Sequence, residues 1–207
     1  TRGARGNAGF ESLTLAPDGQ RLFTAAETAL LQDGDAATFE AGARTRILEF
    51  VAHHGTFEPG REYAYDLEPV HRVPYPPGAY LNGLVELAAV NPTTLLALER
   101  GFVENTQNLA QSRGRIRIYK ISLRGATDVS AFESLKGRTD VVPVQKTLLL
   151  DLSEVQGLSP DLAPTLDNFE GMAFGPLGSD GRRPLYLVSD DKCNPDLQKT
   201  YPLAPPH

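Results

Sequence analysis

The stretch DNFEGMAFG, at residues 167–175, carries a glutamate inside an otherwise apolar strand. Nearly the same arrangement occurs twice earlier in the chain, as GFESLTLAP at 9–17 and as GLVELAAV at 83–90. In each copy a turn and a second apolar strand follow, and the second strand ends in an acid, at Glu27, Glu99 and Asp190. A unit that recurs along a chain in this way indicates a repeat architecture.

Two further strands follow each of the first two copies, so that the repeating unit has four antiparallel strands. They lie at residues 44–50 and 61–69 after the first copy, and at 114–123 and 144–152 after the second. Residues 115–121 alternate between polar and apolar side chains, which is the pattern of a half-buried strand. Tandem four-stranded units with almost no helical periodicity predict an all-β fold, namely a β-propeller of four-stranded antiparallel blades.

The repeat also predicts the domain organisation. We expect one propeller domain over residues 1–207, with blade units at about 7–69, 81–152 and 166–193 and an irregular, Pro-rich tail at 194–207. The chain then holds about two and a half blades, fewer than the four that a closed propeller needs. We therefore expect further blades in a longer protein or on other chains.

The amino-acid composition argues against several classes of function. The formal charge of −6 and the pI of about 5.2 argue against a nucleic-acid partner or an anionic membrane surface, since both require clustered Lys and Arg. The single cysteine, Cys193, excludes an internal disulfide and a Cys/His metal cluster. The sequence contains no apolar run long enough to predict a membrane-spanning helix.

The repeated glutamates are the candidate functional residues. Residues two apart in a strand share a face, so each of these glutamates points the way that apolar neighbours point. In each hairpin the glutamate is predicted to lie opposite or nearly opposite the acid of the second strand, at the open end away from the turn: Glu11 with Glu27, Glu86 with Glu99, and Glu170 with Asp190. If the copies surround one axis, all six acids meet at one end of the propeller.

Like charges across a strand pair repel each other, and partly buried ones do not all stay ionised without help. A shared proton, an Arg or Lys partner such as Arg100, or a metal ion would each relieve the repulsion. Oxygen ligands without Cys or His favour Ca²⁺ or Mg²⁺ over zinc. A structural interpretation stands beside these: the glutamates accept hydrogen bonds from backbone N–H groups of the next blade and fix the blade interface.

In these residues the chain resembles the family of bacterial β-propeller proteins called esterase-like activity of phytase. The matching stretches lie in colinear order and include residues 9–34, 82–90, 95–102 and 166–195. The resemblance implies a six-bladed propeller, a calcium-type site, a phosphoesterase or esterase activity, and export to the periplasm or the cell exterior. The chain departs from the family pattern after residue 195, where another strand would be expected.

Two functions follow from these observations. The first is calcium-dependent hydrolysis of phosphate or carboxylic esters, in which Ca²⁺ polarises a small anionic or ester substrate and a carboxylate activates water. Its predicted metal ligands are Glu11, Glu27, Glu86, Glu99, Glu170 and Asp190, and its predicted catalytic residues are Glu86, Glu170 and Arg100. The second function is that of a non-catalytic propeller, a ligand-binding or assembly subunit with a structural cation.

Overall fold

The structure is a computed structural model of the chain, and it describes residues 2–155, 166 and 168–190, together with the strand Tyr201–Pro202. Cys193 and the other residues of 191–200 and 203–207 lie outside the described residues. Within the described part the fold is all-β, apart from two short 3₁₀ helices at Leu109–Gln111 and Leu152–Glu154. The prediction of an all-β fold with antiparallel four-stranded sheets is confirmed.

The first sheet contains four antiparallel strands that follow each other in chain order. They are β1 (Thr14–Leu15), β2 (Arg21–Ala25), β3 (Arg44–His53) and β4 (Thr56–Asp66). The connection between β3 and β4 is the pair His54–Gly55, with φ values of 48° and 85°. Positive φ at both residues is what a two-residue type I′ hairpin turn requires, and this turn lets β3 and β4 extend beyond the predicted strands.

The second sheet repeats this arrangement with longer strands. They are β5 (Pro77–Asn91), β6 (Thr94–Asn105), β7 (Arg113–Ser122) and β8 (Gln145–Asp151). The pairing of β5 with β6 shifts register between Leu84 and Glu86, where Val85 forms a bulge. Val85 is the residue of β5 that lines the candidate site described below.

The third sheet has three strands, β9 (Phe169–Phe174), β10 (Leu185–Ser189) and β11 (Tyr201–Pro202), with β10 in the middle. Strand β11 falls in the stretch that we predicted as an irregular tail. Its pairing supplies hydrogen-bond partners to an edge of β10 that would otherwise be open.

Two apolar cores join the three sheets. The first contains Phe23, Ile47 and Tyr65 of the first sheet together with Leu84 and Leu95 of the second. The second core joins further residues of the second sheet to the third, among them Val85, Leu98, Phe169, Met172 and Leu187. The sheets therefore pack in chain order, and this packing brings their inner strands β2, β5 and β9 side by side.

Apolar side chains stay exposed on the two outer sheets. Leu13 and Leu15 are 70% and 52% exposed beside the first sheet, and Val188 on β10 is 55% exposed. Closure into a propeller and the number of blades remain predictions. Among the described residues, no helix is long and apolar enough to cross a membrane.

Candidate functional site

A pocket of about 410 Å³ opens where the three sheets meet. Each sheet contributes to its lining, which consists of Asn7, Glu11, Glu27, Val85, Arg100, Glu170 and Asp190. The structure thus brings together four of the six predicted acids and the predicted cation. It leaves Glu86 and Glu99 outside this pocket.

The register of the three hairpins explains this set of residues. The cross-strand pairs that correspond to each other are Phe10 with Ala26, Leu84 with Glu99, and Phe169 with Ser189. The residue that follows each member of these pairs lines the pocket, which gives Glu11 and Glu27, Val85 and Arg100, and Glu170 and Asp190. The first and third sheets therefore contribute two acids each, whereas the second contributes a valine and an arginine.

The predicted pairing of Glu86 with Glu99 is wrong. The register places Glu99 opposite Leu84 and Glu86 opposite Leu98, because the pairing of β5 with β6 shifts by one residue between Ala89 and Asn91 and again at Val85. A slip of one residue turns a side chain to the other face of a sheet. The side chains of Glu86 and Glu99 consequently lie in different surroundings from those of Glu11 and Glu170.

Glu99 is completely buried between the first and second sheets. Its carboxylate accepts hydrogen bonds from the Tyr65 hydroxyl at 2.8 Å, from Asn82 Nδ2 at 2.9 Å and from Lys146 Nζ at 2.7 Å. The backbone N–H of Glu68 donates to it as well, at 3.3 Å. With these four donors Glu99 joins the two sheets and points away from the pocket.

Glu86 lies at the junction between the second and third sheets and is only partly exposed. Its Oε1 accepts a hydrogen bond from the N–H of Leu87 at 2.8 Å, and the backbone N–H of Met172 on β9 also donates to its carboxylate. Burial raises the pKa of Glu86, and these two hydrogen bonds oppose the increase. Its contacts are those that the structural interpretation of the repeated glutamates predicts.

Arg100 lies at the centre of the pocket, with 15% of its side chain exposed. Its Nη2 donates to Glu27 Oε1 at 3.2 Å, and its Nη1 lies 3.0 Å from Glu170 Oε1. The same Nη1 donates to Asn168 Oδ1, and Asn168 Nδ2 is 3.5 Å from Asp190 Oδ2. Arg100 of the second sheet thereby contacts acids of the first and third sheets, so an arginine partner balances part of the carboxylate charge.

Glu27 is the most buried acid of the pocket, with 7% of the residue exposed. Burial raises the pKa of Glu27, Arg100 opposes the increase, and the charges of Glu11 and Glu170 add to it. Its side chain passes over Gly83, where a Cβ atom would come within 2.5 Å of Glu27 Cγ. Its carbonyl accepts a hydrogen bond from Leu84 N at 2.8 Å, which connects the end of β2 to β5.

As they are placed, the described residues do not form a calcium site. Their oxygen donors suit a hard cation chemically. Over the described ranges, however, no three His, Cys, Asp or Glu side chains come together closely enough to hold a metal ion, and a guanidinium lies between Glu27 and Glu170. The calcium requirement stays a prediction.

Sequence reasoning missed Val85 and selected Glu86 in its place. The spacing from the preceding glycine contains the missing signal, because Glu11 is two residues after Gly9 whereas Glu86 is three residues after Gly83. Counting from the glycine aligns Val85 with Glu11. Since cross-strand partners lie symmetrically about the turn, a shift of one residue towards the open end of the hairpin also aligns Arg100, rather than Glu99, with Glu27.

Comparison with known proteins adds one finding. The family model described as Phytase-like, esterase-like activity of phytase, matches residues 1–192. Neither the curated proteins nor the solved structures include a significant match to this chain.

Proposed function

This chain belongs to the phytase-like family, esterase-like activity of phytase, and from that premise we propose that it hydrolyses esters in the pocket around Arg100. The observation that carries the proposal is the contact of one guanidinium with Glu27 and Glu170 inside a pocket of about 410 Å³. A general base and an anion-stabilising group then lie side by side, which is what ester hydrolysis requires.

Glu27 is the proposed general base. A base works best when its pKa is near the working pH, and burial moves the pKa of Glu27 upward in that direction. Glu27 takes a proton from water, whose oxygen attacks the carbonyl carbon of the ester. The tetrahedral intermediate then expels the alcohol oxygen, which receives the proton from Glu27, and the carboxylic acid is released.

Arg100 is the proposed stabiliser of the negative charge that develops on the carbonyl oxygen. A guanidinium has five N–H donors. Two of them donate to Glu27 and Asn168, Nη1 also lies 3.0 Å from Glu170 Oε1, and the buried Nε has no hydrogen-bond partner among the described residues. The second N–H of Nη2 is therefore the donor that this proposal assigns to the substrate.

The charge of the pocket favours neutral esters. Four carboxylates line it against one guanidinium, and this excess of negative charge repels a phosphate monoester unless a cation accompanies it. We therefore propose carboxylic esters as the primary substrate class. Phosphate esters are the class for which an added calcium ion would be needed.

Initial rates with p-nitrophenyl acetate and p-nitrophenyl phosphate, each measured with calcium and with EGTA, test the proposal. We expect turnover of the acetate in both media, and a loss of roughly 10²–10⁴-fold in Glu27→Gln, the usual contribution of a general base. Glu40→Gln is the matched control, since Glu40 is exposed, pairs with Arg72 and does not line the pocket. A wild-type protein without turnover, or full turnover by Glu27→Gln, would refute the assignment.

A non-catalytic role is the second candidate, and two observations favour it. Glu86 and Glu99 hold neighbouring sheets together, and Leu13, Leu15 and Val188 expose apolar surface on the outer sheets. A subunit that completes its fold with further blades would show both features. Light scattering after size exclusion separates the candidates, because an assembly subunit self-associates or binds partner chains and has no turnover.

A further inference from the structure

We infer that Arg100 is a built-in cation, which takes among the acids of this pocket the place that a metal ion would otherwise occupy. The pocket then forms without calcium. This inference concerns how the pocket is assembled, and it holds whether or not the chain hydrolyses esters.

Equivalent positions in the three sheets hold residues of opposite charge. Glu27, Arg100 and Asp190 each follow the corresponding residue of a cross-strand pair, so the repeat places them at matching points around the pocket. Two of these three points hold an acid and the third holds a cation. Val85, at the neighbouring position of the second sheet, also lacks the carboxylate that Glu11 and Glu170 supply.

Arg100 forms ion pairs with acids of both neighbouring sheets. It bridges a buried acid, Glu27, and a half-exposed acid, Glu170, at 3.2 and 3.0 Å. Two partly buried carboxylates near each other need a compensating positive charge. The guanidinium supplies that charge at the point where the two acids approach each other.

The chemistry of the guanidinium suits this role. Arginine stays protonated at every pH at which proteins are studied, and its planar group donates to several oxygens at once. Because it is attached to β6, it offsets part of the charge of the acids at any concentration of free cation. It also connects the three sheets, since Glu27, Arg100 and Glu170 belong to the first, second and third sheet in turn.

Thermal unfolding with calcium and with EGTA tests this inference on the wild type, Arg100→Gln and Arg100→Lys. We expect equal melting temperatures for the wild type in both media. Arg100→Gln removes the charge and leaves the acids uncompensated, so its melting temperature falls in EGTA and rises by several degrees when calcium binds the folded state. Arg100→Lys keeps the charge and should show little response to calcium.

Arg44→Gln is the matched control, because Arg44 pairs with Asp66 at 2.6 Å in the first sheet and does not line the pocket. It should lose stability equally in both media. Titration calorimetry of the wild type with calcium gives a second readout that does not depend on the folding of any variant. Calcium binding by the wild type, or a folded Arg100→Gln that does not respond to calcium, would overturn the inference, as would an Arg100→Gln that stays unfolded in both media.

Discussion

Replacing Glu99 with glutamine is the most informative test of how the sheets are joined. The change removes one negative charge and one acceptor oxygen from a side chain that is completely buried. Four donors, from Tyr65, Glu68, Asn82 and Lys146, converge on the native carboxylate. The glutamine amide turns one of these acceptor positions into a donor, which then faces another donor.

The expected loss of unfolding free energy follows from the burial of the ion pair between Glu99 and Lys146. Removing one partner of a buried ion pair costs about 3–5 kcal/mol in unfolding free energy, because the other charge is left uncompensated. Lys146 has only 14% of its side chain exposed but keeps a second partner, Glu68, at 2.8 Å. We therefore expect a loss near the lower limit, about 3 kcal/mol.

Urea denaturation followed by circular dichroism measures this loss. Glu68→Gln is the control, since Glu68 is 38% exposed and its replacement should cost no more than about 1 kcal/mol. A double-mutant cycle of Glu99→Gln with Tyr65→Phe should show coupling, because both variants remove parts of one network. A stability of Glu99→Gln within about 0.5 kcal/mol of the wild type would refute this account of the network.

Three further predictions concern the pocket and its surroundings. Gly83→Ala places a Cβ 2.5 Å from Glu27 Cγ, so it should lower the unfolding free energy in urea titrations by about 1–3 kcal/mol. It should also reduce ester turnover, because it displaces Glu27 from Arg100. Unchanged stability would show that the Cβ fits. The raised pKa of Glu27 places the acid limb of the rate profile above the ordinary value of 4.5, since turnover needs the ionised carboxylate; a limb at or below 4.5 in a pH–rate measurement would contradict its role as base. Burial, followed by the charges of Arg115 and Arg117, lowers the pKa of His71 to about 4. Because the unfolded chain protonates this histidine near pH 6.5, the unfolding free energy should fall by up to roughly 3 kcal/mol as the pH drops from 6.5 to 4. An equal fall in His71→Gln would exclude His71 as its source.

Sequence periodicity was sufficient for the sheets but not for every register. The three hairpins at 9–27, 83–99 and 168–190 were recognisable because each combines apolar strands with a turn and a terminal acid. The strand predicted at 44–50 continues to His53 in the structure, since the turn at His54–Gly55 pairs three more residues. Such an extension depends on backbone conformations that alternation alone does not specify.

The candidate site was predictable where the repeat is regular. Glu11, Glu27, Glu170 and Asp190 reach one pocket because the first and third hairpins hold acids at the positions that line it. In the second hairpin the corresponding positions hold Val85 and Arg100, because Glu86 and Glu99 each lie one residue nearer the turn, and a displacement of one residue turns a side chain to the other face.

The buried partners of Glu99 could not be predicted from spacing. Tyr65 and Lys146 lie 34 and 47 residues from it in the chain, and they reach it only because the first and second sheets pack together. A contact of this kind depends on tertiary packing, for which a single sequence has no periodic signal.

The position of Arg100 decides whether the acids of this pocket need a metal ion, and a crystal structure grown in the presence of calcium would establish that position. We predict that the Arg100 guanidinium lies between Glu27 and Glu170, within hydrogen-bond distance of both carboxylates, and that no anomalous signal from calcium is present there. A calcium ion bound by Glu27 and Glu170, with the Arg100 side chain turned away from them, would contradict the account.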